Sequence, residues 1–90
     1  MRAPLPLGRV VATPGALKLL TEKGEHPFDL LARLATGDWG DLCAFDRRQN
    51  ESALREGYRV FSSYKVPTGS VWIITEADRA VTTILLPEEY

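Results

Sequence analysis

Cysteine and histidine are scarce in this chain, since each occurs once in 90 residues. Cys43 has no second cysteine to pair with, so an internal disulfide is excluded and a reduced, cytoplasmic protein is the simplest interpretation. One cysteine and one histidine do not fill the usual four positions of a zinc site. His26 precedes Pro27 at a predicted helix start, which favours a solvated position near the helix cap over a catalytic base. We therefore expect no metal and assign no catalytic residue.

Excess charge and long apolar runs are also missing. The 11 Lys and Arg nearly cancel the 12 Asp and Glu, which leaves a formal net charge of -1. A protein that binds nucleic acid without regard to sequence usually carries a positive excess, so nucleic acid is a possible partner but not the favoured one. The chain shows no apolar run of about 18 residues, no signal-peptide pattern and no phosphate-binding glycine loop. We expect neither a membrane partner nor a cofactor.

Apolar side chains are plentiful enough for one core. They make up 44% of the residues and include two Trp, three Tyr and three Phe. A chain of this length supports one compact domain and is too short for two. We expect a single domain over 1–90, in which 1–6 is a loosely held arm because Pro4 and Pro6 discourage a helix there.

Three helices are predicted between Pro or acidic residues at their starts and Gly at their ends. The boundary residues are Thr13, Pro14 and Gly24 for the first, Pro27 and Gly37 for the second, and Asp41, Glu56 and Gly57 for the third. The expected buried sides are Leu17 and Leu20 with Ala16 as a possible third member, then Leu30, Leu31, Leu34 and Ala35, then Leu42, Phe45, Ala53 and Leu54.

From Tyr58 onward the apolar period is that of strands. In "YRVFSSYKV", Tyr58, Val60, Tyr64 and Val66 point to one side, and Arg59, Ser63 and Lys65 point to the other. "PTGS" is a turn between strands, "VWIIT" is apolar on both faces, and "AVTTILL" follows the reversal at "EADR". Connections this short make an antiparallel meander. "LGRVVA", from Leu7 to Ala12, adds a strand before the first helix. The predicted fold class is α+β, with two or three helices on one face of a mainly antiparallel sheet in the order β-α-α-α-β-β-β.

The stretch "ATGDWGDL" is the part of the chain that most resembles a site. Asp38, Asp41 and Asp46 do not have the ligand spacing of a calcium loop. The pattern favours a joint between helices, in which Gly37 ends the second helix and Asp38 or Asp41 caps the third. Trp39 is then either a plug between helices or a surface anchor for a partner.

Candidate binding residues come from the aromatic side chains and the arginines, because these side chains concentrate energy at interfaces. The predicted binding set is Trp39, Phe45, Arg47, Arg48, Tyr64 and Arg79. Phe61 and Trp72 are further possible anchors, although the doubly apolar strand favours a core position for Trp72. Cys43 is expected to pack in the third helix as a small buried residue.

Four stretches, which together cover most of the chain, carry a resemblance to known proteins: "GRVVATPGAL", "ATGDWGDL", "DRRQNESALREG" and "VWIITEADRAVTTILLPEEY". In these stretches the chain resembles a family of small bacterial "plasmid-related" proteins. The resemblance implies a mobile-element accessory role and assigns no catalytic residue. We expect a non-enzymatic protein of a plasmid or phage that binds a macromolecule, with a protein as the favoured partner and anti-restriction or anti-CRISPR inhibition as a possible role.

Two alternatives remain. The predicted order of helices and strands is similar to that of the RelE and ParE toxins, and this likeness implies a ribonuclease using Arg59, Lys65, Arg79 and Tyr90. The other alternative is a self-associating structural module, a homo-oligomer in which the outer strand of the meander is exposed as a pairing edge.

Overall fold

The computed structural model describes residues 6–22, 24, 26–40, 42–66 and 69–90. The elements are β1 (Arg9–Ala12), α1 (Pro14–Glu22), α2 (Pro27–Ala35), α3 (Ala44–Glu56), β2 (Val60–Val66), β3 (Gly69–Thr75), β4 (Val81–Leu85) and a 3-10 turn (Pro87–Glu89). The predicted α+β class and element order are confirmed. The predicted N-terminal arm, apart from Pro6, lies outside the described residues, as do Pro67 and Thr68 of the predicted turn between β2 and β3.

The four strands form one sheet in the order β1-β4-β3-β2. β2, β3 and β4 are the predicted antiparallel meander, in which Tyr64 lies opposite Val71 and Ile73 lies opposite Ile84. β1 runs parallel to β4, with Ala12 opposite Ile84. A parallel pair needs a long connection, and α1, α2 and α3 lie within the chain that connects these strands.

The helices pack against one face of the sheet. Residues at alternate strand positions project to the same side, so Val60, Tyr64, Val71, Ile73 and Ile84 face the helices together. These side chains join one buried cluster with the apolar residues of the helices, namely Ala16, Leu20, Leu30, Leu31, Leu34 and Ala53. The core of the molecule therefore lies between the helices and this face.

The opposite side of the sheet, which we call the open face, is not part of that cluster. Strand alternation places on it Arg9 and Val11 of β1, Phe61, Ser63 and Lys65 of β2, Ser70, Trp72 and Ile74 of β3, and Val81, Thr83 and Leu85 of β4. Trp72 is half-buried here rather than in the core. The predicted core position is wrong because β3 has apolar residues on both faces and Trp72 lies on the face away from the helices.

Local hydrogen bonds set the helix ends largely as predicted. The Thr13 hydroxyl accepts the Ala16 N–H at 3.2 Å at the start of α1. His26 is the N-cap of α2, where Nδ1 accepts the Phe28 N–H at 3.2 Å. Gly57 ends α3 in the left-handed conformation, with φ of 79°. The predicted solvated cap position of His26 is confirmed.

The third helix differs most from its prediction. It begins at Ala44, its N-cap is the exposed Cys43, and no side chain caps it. Asp38 is engaged elsewhere, and Asp41 lies outside the described residues. Phe45 is 60% exposed, whereas the polar Asn50 is buried together with Ala53. In α1 the buried residues are Ala16 and Leu20, and Leu17 is exposed.

A hydrogen bond connects the 3-10 turn to the start of α1. The Thr13 hydroxyl donates to Glu89 Oε1 at 2.6 Å, and the same oxygen accepts the Leu86 N–H at 2.8 Å. These two donors hold the pKa of the Glu89 carboxyl below its ordinary value, with the Thr13 hydroxyl as the larger cause. The bonds fix the direction of the chain so that the next residue, Tyr90, reaches the open face.

Candidate functional site

Residues 36–40 and 42–43, which we call the joint, run beside the outer edge of β2. Trp39 is 3% exposed and its carbonyl accepts the Ser63 N–H at 3.2 Å. Gly40 forms an isolated parallel bridge with Ser63. Tyr64 is fully buried and donates its hydroxyl to the Asp38 carbonyl at 2.8 Å. Trp39 and Tyr64 therefore pack in the core, and neither ring lies on the surface where a partner would contact it.

The acidic residue that the structure describes in the joint is part of a structural network. The Asp38 carboxylate accepts hydrogen bonds from Arg33 Nε at 2.7 Å and from the Gly40 N–H at 3.1 Å. Arg33 also lies 4.8 Å from the centre of the Tyr64 ring. The Arg33 guanidinium is the main cause of a lowered pKa at Asp38. Asp38 therefore stabilises the joint and does not cap α3.

Two arginines of the predicted binding set donate hydrogen bonds to backbone carbonyls of the protein itself. Arg47 donates to the Gly40 carbonyl at 2.9 Å and to the Leu42 carbonyl at 3.0 Å. Arg79 is half-buried. Its acceptors are three backbone carbonyls, those of Tyr58 at 2.6 Å, Ala53 at 3.0 Å and Glu76 at 3.2 Å. Both guanidinium groups therefore bond to backbone within the protein and stabilise its fold.

The remaining members of the predicted set lie on the surface of α3. Phe45 is 60% exposed and Arg48 is exposed. Residues three positions apart are neighbours on a helix surface, so this ring and this guanidinium share one side of α3. Of the six predicted residues, two are buried, two bond to backbone carbonyls, and two form an exposed pair. In that order they are Trp39 and Tyr64, Arg47 and Arg79, and Phe45 and Arg48.

The largest grouping of aromatic side chains is on the open face. The Phe61 and Trp72 rings have centroids 4.9 Å apart and meet edge to face at 83°. The Trp72 and Tyr90 rings follow at 5.7 Å and 69°. We call Phe61, Trp72 and Tyr90 the aromatic row. Edge-to-face contacts of this kind stabilise aromatic pairs beyond their buried area, so the three rings support one another.

Basic side chains flank the aromatic row. The Arg59 guanidinium lies 5.6 Å from the centre of the Tyr90 ring and donates to the Tyr90 hydroxyl. Lys65 and Arg9 are exposed at open-face positions of β2 and β1. No Asp or Glu occupies an open-face position within the four described strands. Within the four strands the open face therefore carries basic and no acidic side chains, and Glu76 directly follows β3 in the row that holds Arg59 and Arg9.

Sequence alternation already assigned Arg59, Ser63 and Lys65 to the side of β2 opposite Tyr64. Phe61 belongs to the same series, and this signal alone could have placed it with them. The register then places Phe61 opposite Ile74 and Ser63 opposite Trp72, so the two rings are diagonal neighbours. The contact with Tyr90 needs the direction of the 3-10 turn, which no periodicity reveals.

The four residues of the predicted ribonuclease set do not converge. Arg59 and Tyr90 are in contact. Lys65 shares the open face but lies six residues along the chain from Arg59, which is about 20 Å in extended strand. Arg79 is engaged with backbone carbonyls.

The outer edge of β2 is covered at two positions. The Asn50 side chain accepts the Phe61 N–H at 3.1 Å and donates to the Phe61 carbonyl. Two residues further along β2, the Ser63 N–H donates to the Trp39 carbonyl. An edge strand recruits another chain through unpaired backbone groups. Because the Phe61 groups and the Ser63 N–H have partners, this part of β2 is not a free edge of the kind on which the self-association alternative depends.

No family model, curated protein or solved structure matches the chain. None of the helices in the described part of the chain is long and apolar enough to cross a membrane. Among the same residues, no cluster of three or more His, Cys, Asp or Glu side chains has the arrangement of a metal site.

Proposed function

We propose that this protein is a non-enzymatic accessory protein that acts by binding a macromolecule through the open face. The aromatic row on that face is the observation that carries the proposal. Aromatic side chains and arginine concentrate binding energy at interfaces, and here the rings and Arg59 lie side by side. Sites on strands are held more rigidly than sites on loops, and β3, which carries Trp72, has a paired strand on each side.

The biological setting that we propose follows from the resemblance to the plasmid-related family. Its four sequence stretches include most of the joint and cover β1, β4 and most of β3, but not β2. They support a cytoplasmic accessory role in a plasmid or phage, with inhibition of a host defence system as the specific form. A protein is the partner that overall composition favours.

Site-specific photo-crosslinking in the source organism tests the proposed surface without assuming a partner class. A photoreactive amino acid at Thr83 would project from the open face, and the same group at the exposed Lys18 of α1 is the matched control. We expect adducts of protein or nucleic acid from position 83 and none from position 18. Equal labelling from both positions, or none from position 83, would contradict the proposal. A third variant carries the photoreactive group at Phe45, and adducts from that position alone would place the binding surface on α3 instead.

The contact between Arg59 and Tyr90 is the observation that favours the ribonuclease alternative. Induced expression in a bacterial host separates the two functions. We expect no growth arrest and no messenger cleavage from the wild-type protein. Toxicity that is lost in both Arg59→Ala and Tyr90→Phe would overturn the non-enzymatic proposal. Arg79→Ala is unsuitable for this purpose because Arg79 supports the fold.

A further inference from the structure

We infer that the open face binds single-stranded nucleic acid, with bases stacked on the aromatic row and phosphates at the surrounding basic side chains. This inference rests on the proposed function and names the class of its partner. It departs from the expectation based on net charge, because the positive charge of the open face is local and is balanced by acids elsewhere.

The first step is stacking. Unpaired bases stack on aromatic side chains whatever their identity, because every base has a π face. Tyr90 is 67% exposed, and Trp72 and Phe61 are half-buried beside it. A duplex hides the faces of its bases, so the same rings offer it little. The row is therefore suited to a single strand and not to a double helix.

The second step is charge. Arg59 lies at the Tyr90 end of the aromatic row, Lys65 lies further along β2, and Arg9 lies on β1 at the other side of the sheet. Phosphates bound at such positions release counterions, which drives association. Glu76 directly follows β3, and continuing the strand register places it between Arg59 and Arg9 at one end of the open face. This acid limits the phosphate path at that end, and Lys65 extends the path towards the other end.

The same charge makes a second copy of the chain an unsuitable occupant. A face-to-face dimer would bring Arg9, Arg59 and Lys65 against their own counterparts, and like charges across an interface are costly. A protein partner with an acidic surface is the competing occupant, and the experiments below distinguish it.

The test is fluorescence anisotropy with labelled single-stranded oligo(U) and oligo(dT) of about 12 nucleotides, a length within the range that single-strand sites cover. A duplex of the same length is the control ligand. We expect salt-dependent binding of the single strands and clearly weaker binding of the duplex. The absence of single-strand binding at low salt by folded wild-type protein would overturn the inference, and so would a preference for the duplex.

Matched variants locate the binding to the open face. Lys65→Gln should weaken binding several-fold and lower the salt slope by about 0.7, the value for one phosphate contact. Lys18→Gln makes the same charge change on α1 and should leave affinity within about twofold. Equal effects of the two substitutions would show attraction by net charge alone and would contradict the inference.

A second pair of variants addresses stacking. Trp72→Leu should weaken binding about tenfold because it removes an aromatic face and keeps apolar volume. Phe28→Leu removes a 71% exposed ring from α2 and should have no effect. Circular dichroism checks that Trp72→Leu is folded. If Trp72→Leu binds like wild type, stacking at this position is excluded.

The two proposals fail separately. Crosslinks from Thr83 to protein only, with no oligonucleotide bound by the wild type, would overturn the nucleic-acid inference and leave the proposed function in place. No crosslinks from Thr83, together with no oligonucleotide binding, would overturn both.

Discussion

Tyr64 shows how one side chain can serve the core and the joint together. Its ring is fully buried among apolar neighbours and its hydroxyl donates to the carbonyl of Asp38, 26 residues earlier in the chain. Burial disfavours the phenolate and raises the pKa of Tyr64 to about 12. The residue that the sequence offered as a surface anchor is thus a buried link between β2 and the joint.

Substitution Tyr64→Phe should lower the free energy of unfolding by about 1 kcal/mol at neutral pH, because the hydrogen bond to the Asp38 carbonyl is lost. The pKa of the folded state lies above the ordinary value of 10.0. The stabilisation from the neutral tyrosine is therefore complete below pH 10 and is lost as the pH rises towards about 12. Urea unfolding across this range should show wild-type stability falling more steeply than that of the variant. Parallel pH profiles would contradict this account.

Arg79 combines an unfavourable backbone conformation with favourable side-chain bonds. Among the described residues other than glycine it is the one with a positive φ, at 61°. Its guanidinium bonds to three backbone carbonyls, which include Ala53 at the end of α3. These bonds explain why an arginine occupies a conformation that glycine adopts more easily.

We predict the stability order wild type, then Arg79→Gly, then Arg79→Ala. Both variants lose the side-chain bonds, but glycine tolerates the backbone conformation and alanine does not. The two variants should differ by about 1 kcal/mol in thermal or urea unfolding. Equal stability of the variants would show that φ at this position costs nothing.

The joint acts as an additional edge element for β2. Gly40 has φ of 72°, and a Cβ atom there would collide with the Ser63 carbonyl oxygen. Gly57 has a similar φ of 79° with open space around it. The two glycines thus share a conformational requirement and differ in their surroundings.

Gly57→Ala should therefore report the cost of backbone conformation alone, about 1 kcal/mol. Gly40→Ala should cost about 3 kcal/mol, because the joint must also move away from β2. Urea unfolding of both variants measures the difference. Similar losses in the two variants would indicate that the joint shifts from β2 at no cost.

The sheet has two edge strands, β1 and β2, and β2 is the longer of them. Its outer groups at Phe61 are bonded to the buried Asn50, so the whole protein should not self-associate through this strand.

Asn50→Ala should lower the free energy of unfolding by about 2 kcal/mol and should raise the tendency to associate, because it leaves the Phe61 backbone groups without their partners. Light scattering over a concentration range measures association. Gln49→Ala removes an exposed amide from the same helix and should change neither property. Strong association of the wild-type protein would return the self-association alternative to favour.

The architecture could be read from the chain because its signals are local. Thr13 and Gly57 mark helix boundaries through bonds to residues within one turn, and the alternation of β2 separates Tyr64 from Lys65. Capping and alternation depend on neighbours a few positions away. The order of elements, the meander and the buried side of α2 follow from signals of this kind.

The function of individual side chains could not be read in the same way. Tyr64 and Arg79 each bond to a backbone carbonyl 26 residues away, and Trp72 meets Tyr90 only because the 3-10 turn leads the chain to the open face. Sequence pattern indicates that a side chain is aromatic or charged, but packing alone decides what it meets. Three helices pack against one face of the sheet, and the other face therefore carries Phe61, Trp72 and Arg59. Long-range contacts, rather than composition, created this candidate binding surface.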